Sequence, residues 1–132
     1  MIDFKQVREN LLDSSTPEIE PADPELVDCA ISFLKLHLNT LYINLAYEIL
    51  HTFHQAHITV GPDKSVDIHW RENQFELLIN IRYSGKYIEA GYYGIGKNSP
   101  CTIKGVFDPK NKNNHFIFQW MIERVQDSHN EV

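Results

Sequence analysis

From His57 to Phe107 this chain alternates apolar and polar side chains between short turns, and that alternation limits what it can fold into. Gly61-Pro62-Asp63-Lys64 reads as a turn, followed by Ser65-Val66-Asp67-Ile68-His69-Trp70. Glu72-Asn73-Gln74 leads into Phe75-Glu76-Leu77-Leu78-Ile79-Asn80-Ile81-Arg82-Tyr83. Ser84-Gly85-Lys86 turns again before Tyr87-Ile88-Glu89-Ala90-Gly91-Tyr92-Tyr93. A period of two, rich in β-branched and aromatic residues and broken by turn formers, predicts an antiparallel meander. Strands are expected near residues 57–60, 65–71, 75–83, 86–93 and 101–107. Val66, Ile68 and Trp70 then share one face with Phe75, Leu77, Ile79 and Ile81. Asp67, His69, Glu76, Asn80 and Arg82 share the other. One covered face and one wet face is the usual antiparallel arrangement. Gly94-Ile95-Gly96-Lys97-Asn98-Ser99-Pro100 and residues 108–114 read as loops.

Around this block the apolar spacing changes to that of helices. Ile2, Phe4, Val7, Leu11 and Leu12 suggest a short amphipathic helix within residues 2–13. A Pro- and Glu-rich stretch without periodicity links it to Pro24. Asp23-Pro24-Glu25 is a strong helix start: a capping carboxylate, a proline at the first position and an acid in the first turn. The stripe from Leu26 to Leu38 defines that helix. Asn39-Thr40 could cap a second one carrying Leu41, Leu45, Ala46, Ile49, Leu50 and Phe53, or one bent helix could span residues 24–56. A last helix, capped by Asn113 or Asn114, is predicted through Val125 with Phe116, Ile117, Trp120, Met121 and Val125 as its apolar positions. The tail from Gln126 is expected to fray.

The fold class is therefore α+β: N-terminal helices on a four- to five-stranded antiparallel sheet, closed by a C-terminal helix. Its 132 residues, 42% hydrophobic and 23% charged, suit one ordinary globular domain. The net charge of −6 is concentrated at one end. Residues 1–28 hold Asp3, Glu9, Asp13, Glu18, Glu20, Asp23, Glu25 and Asp28 against Lys5 and Arg8. Beyond them acids and bases cancel, although Lys97, Lys104, Lys110 and Lys112 face only Asp108 in their stretch. Residues 1–22 are read as an acidic arm, and residues 23–132 as a single α+β domain. The arm could dock into a partner or pack on its own domain near the lysines.

No apolar run approaches the roughly 20 residues that cross a bilayer. The N-terminus lacks the pattern of a secretory signal. A cytoplasmic protein with no membrane association is expected, or one whose signal was removed. Cys29 and Cys101 cannot build a disulfide framework and read as buried thiols; a single bridge is conceivable only in an exported protein.

Four features could carry chemistry. Glu48, His51, His54 and His57 recur at intervals of three, so Glu48, His51 and His54 are the metal candidates. Helical metal sites, however, take such a motif from two helices, and here there is one. The simpler reading is a polar helix face. His69 with Asp67, and Glu76 or Asn80 across from them, could form a general base, yet no serine or cysteine elbow supplies a nucleophile. Gly94-Ile95-Gly96-Lys97 lacks the spacing of a phosphate loop, and its glycines read as turn residues. Lys104, Lys110 and Lys112 with Tyr92 or Tyr93 could meet nucleic acid, but four lysines in an acidic chain are a thin electrostatic footprint.

The run Val60-Gly61-Pro62-Asp63-Lys64-Ser65-Val66-Asp67-Ile68-His69-Trp70, after an apolar helix and before Phe75-Glu76-Leu77-Leu78-Ile79-Asn80-Ile81, resembles a pattern in small uncharacterised bacterial proteins. These pair a helical N-terminus with a β-meander, in mobile-element or defence-type gene neighbourhoods. The resemblance covers residues 24–93 and is structural, so it transfers no catalytic residue. The function expected is non-catalytic protein binding, as an antitoxin, immunity, defence-associated or chaperone-like accessory subunit. The alternatives are a small metal protein or enzyme using the His-rich helix and, third, a nucleic-acid module. No catalytic residue and no cofactor is assigned. The partner expected is another protein, a larger complex or a second copy. The candidate contacts are Ile2, Phe4, Val7, Leu11, Tyr92, Tyr93, Lys104, Lys110 and Lys112.

Overall fold

The computed structural model describes residues 1–16, 18–44, 47–97, 101–112 and 116–130, without the side chains of residues 40–44, 48 and 127–130. The elements are α1 (Phe4–Leu11), α2 (Pro24–Asn44), α3 (Tyr47–His54), β1 (His57–Val60), β2 (Val66–Arg71), β3 (Phe75–Ser84), β4 (Tyr87–Gly96), β5 (Cys101–Phe107) and α4 (Phe116–Asn130). The five strands form one antiparallel sheet in sequence order. Hairpin connections suffice because each strand lies beside the one before it.

Register decides which face is covered. Ile58 pairs with Ile68, Ile68 with Ile79, and Val66 with Ile81, so the apolar residues predicted to share a face do share it. Val66, Ile68, Trp70, Phe75, Leu77, Ile79 and Ile81 are all fully buried. Helices α2, α3 and α4 contribute Leu26, Leu34, Phe53, Ile117 and Met121 to the same core. At its centre the indole of Trp70 donates to the Phe53 carbonyl at 3.1 Å. Phe118 stands edge-on to the Trp70 ring and stacks on the buried His37 ring, 4.1 Å between centroids.

Capping follows the local chemistry. Asp23 accepts from the amides of Glu25 and Leu26, which makes it the cap expected for α2. Asp3 does the same for Gln6 at the start of α1. The Tyr83 hydroxyl, at the end of β3, donates its one proton to Glu25 at 2.8 Å with Asp23 also within reach at 2.9 Å, tying the sheet to the start of α2. The bond to Glu25 holds the phenol in its protonated form, so its pKa lies well above the usual tyrosine range.

Three expectations need correcting. The cap at Asn39-Thr40 is not used: α2 runs through both residues to Asn44, so the early break does not hold. A helical segment follows at Tyr47–His54, and residues 45–46, where a bend between the two would fall, lie outside the described residues. Hydrogen bonding within a continuing helix satisfies Asn39 and Thr40 better than a break would. The supposed loop Gly94-Ile95-Gly96 is the end of β4, paired with Phe75, Glu76 and Leu77. Gly94 is there because the sheet touches α4: a Cβ would lie 3.0 Å from the Trp120 ring and from Ile103. Finally, α4 continues to Asn130, past the expected fraying point at Gln126. It also buries Phe118 while leaving Phe116 partly exposed. The proposed caps Asn113 and Asn114 lie outside the described residues.

Candidate functional site

Among the described residues nothing covers the face of the sheet turned away from the helices, and the residues of that face follow from the same register. One row across it reads His57, His69, Leu78, Tyr93 and Lys104. The next reads Thr59, Asp67, Asn80, Gly91 and Val106. A third reads Arg71, Glu76, Ile95 and Thr102.

Two polar networks cross this face. Asn80 donates to Asp67 at 2.7 Å and to Ser65 at 2.8 Å. Its carbonyl oxygen faces the Arg82 guanidinium at 3.5 Å. Arg82 donates through Nε to Glu89 at 3.0 Å. It lies flat across Gly91, where a Cβ would come within 2.4 Å of Nη1, so only glycine leaves it this position. The second network joins His69 Nε2 to Glu76 at 2.9 Å, with Arg71 Nε 3.5 Å from the same carboxylate oxygen. His69 thus meets Glu76 and not Asp67, which is held by Asn80. With Arg71 on the same oxygen, and with the only hydroxyl of the two networks, that of the buried Ser65, held by Asn80 away from His69, the pair reads as a cross-strand polar cluster.

Between the networks lies an apolar patch. Tyr93 is 47% exposed, Ile95 37% and Val106 60%, and the half-buried Leu78 adjoins them. A hollow of about 520 Å³ sits there, lined by Leu78, Arg82, Gly91, Tyr93, Lys104 and Val106 among others. Its lining includes two cations and no carboxylate.

The remaining candidates are dispersed. Tyr92, next to Tyr93, points to the opposite face and packs against Phe107 and Phe116. Lys110 and Lys112 line a separate groove against α2, with Cys29 and Lys35. Burial pushes the Cys29 thiol up, away from reactivity. Cys29 and Cys101 are both unbridged. Ile2, Phe4 and Val7 lie half-buried against the core, and Leu11 is 2% exposed. The α1 stripe therefore rests on this domain, beside α2 and β1, and not at the lysines.

In α3, the Glu48 side chain lies outside the described residues. His51 is exposed and stacks on Tyr47. His54 accepts at Nδ1 from the backbone amide of Ile2 at 3.2 Å. Burial, and then the positive amino terminus, lower the pKa of His54. Glu72 is pushed up by its own burial, while the charges of His51, His57 and Lys97 act in the opposite direction. Among the described residues no three His, Cys, Asp or Glu side chains are grouped as metal ligands. Nor is any described helix long and apolar enough to cross a membrane.

Sequence reasoning missed Leu78, Gly91, Ile95 and Val106. Leu78 was visible as an apolar residue on the polar parity of its strand. Gly91 could be identified only once Arg82 was placed above it. Comparison with family models found no match, and neither the curated proteins nor the solved structures gave one.

Proposed function

We propose that this chain is a non-catalytic accessory subunit that binds another protein through the open face of its sheet. The observation that carries this reading is the patch of Leu78, Tyr93, Ile95 and Val106, left uncovered and rimmed by charged residues. Apolar surface gathered inside a polar rim is the pattern of a protein contact. Tyrosine suits such a site because it offers a large rigid area with a polar tip. Charge favours protein over nucleic acid here. Asp67, Glu76 and Glu89 alternate with Arg71, Arg82 and Lys104, so the face has no continuous positive stripe to follow a phosphate backbone.

A photo-activated cross-linking residue at position 93 tests this in the native host, with position 5 on the exposed side of α1 as the control. A discrete adduct at 93, absent at 5, is expected. Background labelling alone, or the same adducts from both positions, would remove the support for this face.

A further inference from the structure

We propose that the β5 edge is the binding edge of this subunit, and that it takes up an extended segment of another protein with a carboxylate at its centre. This rests on the protein-binding reading above and specifies the chemistry of the partner.

The two ends of the sheet differ. β1 has four residues, and α1 packs beside it. β5 has seven residues and pairs with β4 on one side; among the described residues no strand lies on its other side. Thr102, Lys104, Gly105 and Val106 are all exposed. A free edge of this length is a template for an added strand, which gains affinity from main-chain hydrogen bonds and specificity from alternate side chains.

A second copy is a poor occupant. Two-fold antiparallel pairing of the whole strand with itself centres on Lys104, since residues 101 and 107, 102 and 106, and 103 and 105 then pair. Lys104 would face Lys104, and like charges directly opposite are destabilising. The same lysine welcomes an acid. No carboxylate partners it among the described residues, and the hollow beside it adds the guanidinium edge of Arg82. Glu89 holds Nε of Arg82, Nη1 faces the Asn80 carbonyl oxygen at 3.5 Å, and the guanidinium rests over Gly91. Arg82 is thereby fixed before any ligand arrives, which lowers the cost of binding. Alternation sets the rest of the segment: an apolar residue opposite Val106, an acid opposite Lys104 and a small polar residue opposite Thr102.

The test uses nine-residue peptides whose middle reads Val-Thr-Glu-Val-Thr, and a twin with lysine in place of the glutamate. Amide shifts of the full-length protein are followed by NMR. The glutamate peptide should perturb β5 and β4 and bind about fivefold or more tightly than its twin. Lys104→Glu, an exposed change that leaves the core alone, should reverse the order. N-methylation of the peptide amides that face β5 should abolish binding. Equal binding of the two peptides, no binding, or an unaffected N-methylated peptide each overturns the proposal. So does sedimentation showing wild-type dimers that Lys104→Glu alters. If the peptides fail while the cross-link at position 93 persists, the edge inference falls and the face reading stands.

Discussion

Replacing Trp70 by alanine tests the face assignment on which the candidate site depends. Trp70 is 0% exposed, its ring lies 6.1 Å from those of Phe53 and Phe118, and its indole N–H reaches the Phe53 carbonyl. Truncating a buried tryptophan costs about 3–5 kcal/mol. The lost hydrogen bond adds about 1 kcal/mol, the low end of the usual range, because the Phe53 carbonyl keeps a long contact with the Ala56 amide at 3.4 Å. The total of about 4–6 kcal/mol is a large part of the roughly 5–15 kcal/mol that holds a domain together. Trp70→Phe, which keeps a ring and removes the donor, should cost about 1–2 kcal/mol. Urea unfolding followed by far-UV circular dichroism reads both. With a slope of about 1–3 kcal/mol per molar urea, the alanine variant should lose roughly 1.3 M or more in midpoint, or not fold at all. A midpoint within about 0.5 M of wild type, on that same slope, would mean that Trp70 faces water. Because side chains alternate, Asp67, His69 and Arg71 would then be the buried set, and the open face described above would not exist.

Leu11→Ala should cost about 2–5 kcal/mol in the same assay, since that side chain is buried although it belongs to the acidic arm; an unchanged midpoint would show that the arm is dispensable to the fold. Gly94→Ala, crowded against Trp120 and Ile103, should cost about 1–3 kcal/mol, whereas Gly91→Ala displaces only the guanidinium end of Arg82, a surface side chain, and should stay within about 1 kcal/mol of wild type. The reverse order would contradict the packing of α4 on β4. Neutral His54 accepts the Ile2 amide, and its pKa is lowered in the folded state by burial. Its contribution is therefore fully present above the ordinary imidazole value of about 6.5 and is lost as pH falls through the lower folded value. Between pH 7 and pH 5 the melting temperature of wild type should fall more than that of His54→Gln, whose amide oxygen accepts at either pH. Parallel curves would show that the Ile2 contact carries no such dependence.

The sheet was legible in the chain because its signal is local. A period of two needs only neighbours in sequence, and it placed Trp70 and Ile79 inside and His69 and Asn80 outside before any strand was paired. The Asp23 cap was legible for the same reason. What local pattern could not decide was where separate segments meet. Gly94 and Gly96 look like turn residues until α4 packs across β4 and shows that Gly94 makes room for the Trp120 ring. His51 and His54 share a spacing, yet one stacks on a tyrosine in solvent and the other receives the amide of Ile2, 52 positions away. Lys104, Lys110 and Lys112 form one basic stretch in sequence, and the fold sends Lys104 to the open face and the other two to a groove against α2. The stripe of Ile2, Val7 and Leu11 announced that it needed an apolar surface, and the fold supplied one beside α2 and β1. Periodicity states which side of an element must leave water; only the closing of the chain on itself determines which surface meets it, because burial is a property of two surfaces together.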